Sequence, residues 1–232
     1  MRVDLRLYAL VDPEHAAGRP LPDLARQVAE GGATLVQLRD KRSGTRAMIE
    51  QARAIKAALA PSRVPFIVND RVDVALAANA DGVHVGEDDM RPADARRLLG
   101  PDAIIGLSVK TLAQAQAAPL EHLSYVAIGG VFTTSSKDNP DPPIGVDGLT
   151  SIAAAIRARA PGFPIGAIAG IDERNAADVI AAGADGVAVI SALSFAPDPA
   201  QAAGKLRGII DKMLAERNAA ILRGRPSAGT SG

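Results

Sequence analysis

The segment Gln37-Leu38-Arg39-Asp40-Lys41 closes a short apolar run. If that run is a strand, Gln37, Arg39 and Lys41 alternate onto one face while Leu38 packs behind. Two fixed cations on one face make an anion clamp, although a solvated charge cluster is the commoner fate of such a run. Asn69-Asp70 ends a second apolar run, and Asp89 ends Glu87-Asp88-Asp89 after a third. Asp70 and Asp89 at one mouth, beside cations, point to Mg²⁺, which takes one or two carboxylates together with water and phosphate oxygens. The chain has no Cys and no paired His to offer zinc instead. The same carboxylates would serve equally well as helix caps.

Further along come Ser108 and Lys110, then Thr134-Ser135-Ser136-Lys137, Ala169-Gly170 and Ile190-Ser191. Gly170 permits close backbone approach, and Ile190-Ser191 stands where backbone N–H groups could hold a phosphate. This reading predicts two anion subsites, one near Lys41 and Asp70 and one near Ser191. His15, His84 and His122 read as structural or surface residues, His84 because it alternates with Val83 and Val85. No Ser-His-Asp order or nucleophile elbow is visible, which argues against a covalent acyl-enzyme.

These residues need a scaffold that brings them to one place. Eight β-rich runs begin near residues 5, 34, 65, 82, 104, 125, 165 and 186, each followed by an Ala- and Arg-rich segment of helical composition. That alternation predicts parallel β/α units, and the count predicts a single (β/α)8 TIM barrel over residues 1–217. The polar residues named above then follow the C-terminal ends of strands 2 to 8, where barrel enzymes build their sites. Ala80-Asp81-Gly82-Val83 recurs as Ala184-Asp185-Gly186-Val187, and Val64-Pro65-Phe66-Ile67 resembles Phe163-Pro164-Ile165-Gly166. Both pairs lie four strands apart, as in a doubled half-barrel, although Ala-Asp-Gly-Val is also a common way to begin a strand. Residues 130–146 form a polar, Pro-rich connection too long to be ordinary and therefore expected to be functional. Residues 218–232 read as a disordered tail.

Composition narrows the partners. The 232 residues are 47% hydrophobic and 22% charged, as in ordinary globular proteins. Lys plus Arg against Asp plus Glu gives 26 − 26 = 0, so no global field draws in nucleic acid or an anionic membrane. Aromatics at 3% are too few for base stacking or a membrane belt. The charged opening Met1-Arg2-Val3-Asp4-Leu5-Arg6, the lack of Cys and the absence of a long apolar stretch lead to the expectation of a cytoplasmic protein. A homo-oligomer is left open.

Taken together, Gln37 to Lys41, Asn69-Asp70, His84 to Asp89, Gly106-Leu107-Ser108, Thr134 to Lys137 and Ile190-Ser191 resemble the thiamine-phosphate pyrophosphorylase family over roughly residues 5 to 215. The resemblance implies a (β/α)8 enzyme that joins 4-amino-5-hydroxymethyl-2-methylpyrimidine diphosphate to 4-methyl-5-(2-phosphoethyl)thiazole. Its products would be thiamine phosphate and diphosphate, formed with Mg²⁺ through a pyrimidine carbocation. It implies that Gln37 touches the pyrimidine, and that Arg39, Lys41, Asn69, Ser108 and Lys137 hold the diphosphate. Arg39, Lys41, Ser108 and Lys137 would thereby be the catalytic groups. Asp70 and Asp89 would ligate the metal, and Thr134, Ser136, Gly170, Ile190 and Ser191 would cradle the thiazole phosphate. Gly130 and Thr133 stand where many members have prolines, and Ala169 where a second Gly is usual. The rival readings are a thiazole tautomerase of the same fold and a non-catalytic phosphate-binding barrel. The tautomerase has a His where this chain has Lys110.

Overall fold

The computed structural model describes residues 3–134 and 142–224. Eight parallel strands close into one barrel in chain order. They are β1 Leu7–Val11, β2 Leu35–Leu38, β3 Phe66–Asn69, β4 Gly82–Val85, β5 Ile104–Val109, β6 Tyr125–Ile128, β7 Ile165–Ile168 and β8 Gly186–Val189. β8 returns to β1 with Leu7 opposite Val187. The helices are α1 Leu21–Glu30, α2 Thr45–Leu59, α3 Val72–Ala77, α4 Pro92–Leu99, α5 Leu112–Ala117, α6 Gly145–Arg159, α7 Ala176–Ala181, α8 Ser191–Ser194 and α9 Pro199–Gly224.

Strand alternation divides the core. Leu7, Ala9 and Val11 face outward onto the helices, in one layer with Leu24, Val28 and Leu206. Tyr8 and Leu10 face inward, where they meet Leu35, Ile67, Tyr125, Ala127 and Ala188. Helix starts follow local chemistry: prolines stand in the first turns of α1 and α4, and Thr111 with Gln114 forms a capping box on α5.

The expected strands match within one or two residues. The repeat has a structural counterpart at the base of the barrel. Asp81 Oδ2 accepts the N–H of Phe66 at 2.8 Å and pairs with Lys56 of α2. Asp185 Oδ2 accepts the N–H of Ile165 at 3.0 Å and pairs with Arg157 of α6. Gly82 and Gly186, which follow them, leave room that a Cβ would fill to within 1.8 Å of Ile104 O and 1.7 Å of Leu5 O.

Three expectations shift. α9 runs on to Gly224, so the residues after 217 continue a helix as far as the described chain goes. α6 begins at Gly145, inside the expected connection, and the ends of that connection are tied by Ile144 N–H to Gly130 O at 2.9 Å and Gly145 N–H to Val131 O at 3.0 Å. α8 lies outside the expected helical segments, at the Ile190-Ser191 phosphate position. No helix among the described residues is long and apolar enough to cross a membrane.

Candidate active site

Strand ends from the first half of the barrel bring charge to the mouth. Arg39, just past β2, donates from its guanidinium to Asp12 Oδ2, just past β1. Asp12 is 1% exposed, so Arg39 is fixed by a buried carboxylate rather than waving in solvent. Asp40 is also buried and shapes the next turn by accepting the N–H groups of Ser43 at 2.9 Å and Arg42 at 3.0 Å. Burial pushes its carboxyl upward, but these N–H groups outweigh it and hold the group below the ordinary carboxylate range.

Lys41 reaches from β2 to Asp70 Oδ2 past β3. Asp70 takes φ 62°, a left-handed conformation that Asp tolerates, and its N–H donates to His84 O at 2.7 Å. Burial raises its carboxyl above the ordinary range; Lys41 opposes this, while a hydrogen bond and charge from Asp89 add to it. Asp89 is held by the Gly86 N–H at 2.7 Å on its Oδ2. Neither carboxylate caps a helix: the residues at the caps of α3 and α4 are Arg71 and Arg91, without side-chain cap bonds. The helix-cap reading therefore falls, and two carboxylates with one cation remain at the rim.

The second half brings small and hydroxylic residues. Ser108 Oγ on β5 lies 2.9 Å from His84 Nε2 on β4. Gly170 takes φ 64°, and a Cβ there would stand 2.4 Å from Thr133 O, so only glycine fits. Ala169 beside it has φ 96°, where an L side chain is strained and glycine would be at ease. Gly130 has φ 71°, which proline cannot adopt. Ile190 and Ser191 begin α8 directly after β8.

A cavity of about 110 Å³ opens at this mouth, lined by Gln37, Arg39, Asn69, Ser108, Thr134, Gly170, Ile190 and Ser191 from the expected set. Gln37 is 1% exposed, and its Nε2 lies 3.4 Å from Asn69 Oδ1. Lys41, Asp70 and Asp89 cluster beside this lining. Ser136 and Lys137 lie outside the described residues. Tyr8, Leu10, Ala127, Ile168 and Ala188 supply an apolar wall suited to flat rings.

Two residues with evident work in the site were not singled out by the sequence. His84, expected to be structural, lines the cavity and touches Ser108. Asp12, which anchors Arg39, sits directly after a strand like the other candidates, and that position was the available signal.

A family model for thiamine monophosphate synthase matches residues 7–193. The thiamine-phosphate synthase of Agrobacterium fabrum is 53% identical over 93% of this chain and 98% of its own. That of Xanthobacter autotrophicus is 48% identical over 89% of this chain and 96% of its own. Among solved structures, a thiamine phosphate pyrophosphorylase from Pyrococcus furiosus superposes with a TM-score of 0.79 at 37% identity, covering 92% of this chain and 98% of that one.

Proposed function

This chain belongs to the thiamine monophosphate synthase family and is a transferase, and from that premise we propose how its barrel mouth makes thiamine phosphate. The substrates in this reading are 4-amino-5-hydroxymethyl-2-methylpyrimidine diphosphate and 4-methyl-5-(2-phosphoethyl)thiazole. One observation carries it: a fixed arginine, a buried amide pair and a glycine–hydroxyl wall line one small cavity, and the Lys41–Asp70 pair adjoins its lining residues Arg39 and Asn69 along the chain.

Gln37 meets the pyrimidine from the buried floor. Arg39, Lys41, Asn69 and Ser108, with Lys137 from the connection after β6, hold the diphosphate. As the bond from the ring methylene to the diphosphate oxygen lengthens, negative charge builds on the leaving group, and these fixed donors stabilise it without having to reorganise. Thr134, Ser136, Gly170, Ile190 and Ser191 hold the thiazole phosphate, which aims the ring nitrogen at the methylene carbon. That nitrogen attacks with its own lone pair and has no proton to lose, so no general base is required.

Asp70 and Asp89 suit Mg²⁺. They are hard oxygen donors whose mutual repulsion a divalent cation relieves, and two of them leave coordination positions for diphosphate oxygens. Bound there, Mg²⁺ would add Lewis-acid stabilisation of the leaving diphosphate.

The test is to incubate the purified protein with both substrates, with and without Mg²⁺, and to follow diphosphate and thiamine phosphate by mass spectrometry. Metal-dependent formation of both in equal amounts is expected. Conversion of the thiazole alone would establish a tautomerase, and binding of both substrates without turnover would establish a non-catalytic barrel.

A further inference from the structure

Three adjacent strands place His84, Gly106 and Tyr125 at one level of the barrel: His84 pairs in register with Gly106, and Gly106 with Tyr125. Residues two strands apart do not ordinarily touch. Here they do, because the strand between them carries no side chain. His84 Nδ1 lies 2.9 Å from the Tyr125 hydroxyl, with the rings stacked at 5.6 Å between centroids and 27° between planes. A Cβ on Gly106 would sit 2.1 Å from Tyr125 Cζ and 2.5 Å from His84 Nδ1, in the middle of that contact. The line continues in both directions. The Tyr125 hydroxyl lies 3.0 Å from that of Tyr8, and His84 Nε2 lies 2.9 Å from Ser108 Oγ at the cavity.

Both phenols are fully buried, and burial raises them far above the ordinary phenol range, so they stay protonated. A neutral imidazole between a phenol and a serine has two arrangements. If Nδ1 carries the proton, Ser108 must give its own proton to Nε2 and turn lone pairs toward the cavity, where they would repel an anion. If Nε2 carries it, Tyr125 donates to Nδ1, Nε2–H donates to Ser108 Oγ, and the serine proton is left for a phosphate oxygen.

We propose that His84 is a positioning residue, held as the Nε2–H tautomer by Tyr125, that turns the Ser108 hydroxyl outward as a donor to the diphosphate. The assignment rests on the proposed contact between Ser108 and the diphosphate. This arrangement turns the Tyr125 proton from the Tyr8 oxygen, the direction it takes in the structure, to His84 Nδ1, so that Tyr125, His84 and Ser108 donate in one direction. Gly106 is the vacancy in β5 that makes the line possible.

Long-range ¹H–¹⁵N correlation spectra of the wild-type protein labelled at histidine distinguish the two tautomers and need no variant. The Nε2–H form is expected for His84, and the Nδ1–H form overturns the proposal. Kinetically, His84→Leu should lower kcat about ten- to a hundredfold, the worth of one hydrogen bond to a charged group. Thiazole-phosphate affinity should be unchanged, and His84→Gln, which keeps an N–H, should recover part of the loss. Gly106→Ala should reproduce the His84→Leu defect. In a Ser108→Ala background, His84→Leu should cost less than about twofold, because its effect runs through a hydroxyl already removed. If Ser108→Ala is impaired and the His84 loss simply adds to it, the positioning role is wrong while the site reading stands. If Ser108→Ala retains full activity, the site reading fails at that residue and the positioning role fails with it.

Discussion

The two halves of the barrel are built alike at the base and differently at the mouth. Below, Asp81 and Asp185 do the same work four strands apart: each carboxylate takes the N–H that opens the preceding strand and pairs with a cation from the helix before that strand. Above, β2 to β4 are followed by Arg39, Lys41, Asp70 and Asp89, while β6 to β8 are followed by Thr134, Gly170 and Ser191. A diphosphate that must leave with its charge needs cations and metal ligands. A phosphate that only anchors a substrate is served by backbone groups and hydroxyls. The difference between the ends separates what holds the barrel together from what the barrel holds.

The contrast can be broken most severely in the charged half. Asp70→Ala should lower the coupling rate by roughly two to three orders of magnitude, in line with loss of fixed charge stabilisation at a leaving group, with melting temperature and circular dichroism little changed. A rate near wild type would remove Asp70 from the mechanism. At the base, Asp81→Ala and Asp185→Ala should each cost stability by about 1–3 kcal/mol, the range for leaving a buried donor unpaired. Asp185→Ala should cost more, since it strands both Arg157 and Arg217. Denaturant titration measures this, and kcat should hardly move in either variant. In the hydroxyl half, Ser191→Ala should weaken thiazole-phosphate binding by only about three- to tenfold, the net worth of one hydrogen bond, and leave pyrimidine-diphosphate binding alone. Separate calorimetric titrations decide it; the opposite selectivity would exchange the two subsites. The smallest effect belongs to Ala169→Gly, which relieves a backbone at φ 96° and should raise stability by up to about 1 kcal/mol after glycine's greater unfolded-state entropy is subtracted. A lower melting temperature would show that the alanine methyl packs better than it strains.

Most of the fold was legible because its information is local. Each strand announces itself by a β-branched run and each helix by composition, and their alternation leaves few topologies open. The mouth residues were legible for the same reason: they follow strands. What stayed hidden depends on register between strands. His84 looks like any residue alternating between Val83 and Val85; only the barrel brings Tyr125 to it across Gly106 and sets Ser108 beside its other nitrogen. Asp12 gains its role from Arg39, a partner on the neighbouring strand end. α8 is a single turn with no periodicity for a pattern to show.

The seam where β8 meets β1 carries one more consequence, in the order of synthesis. Leu7 and Val187 come from opposite ends of the chain, so while a ribosome is making the protein β1 waits with one edge unpaired until nearly everything else has emerged. An unpaired strand edge is a template for other chains, and closing a loop of this length is slow to nucleate. The finished barrel has no edge to offer, so exposure to aggregation is concentrated in the interval before closure.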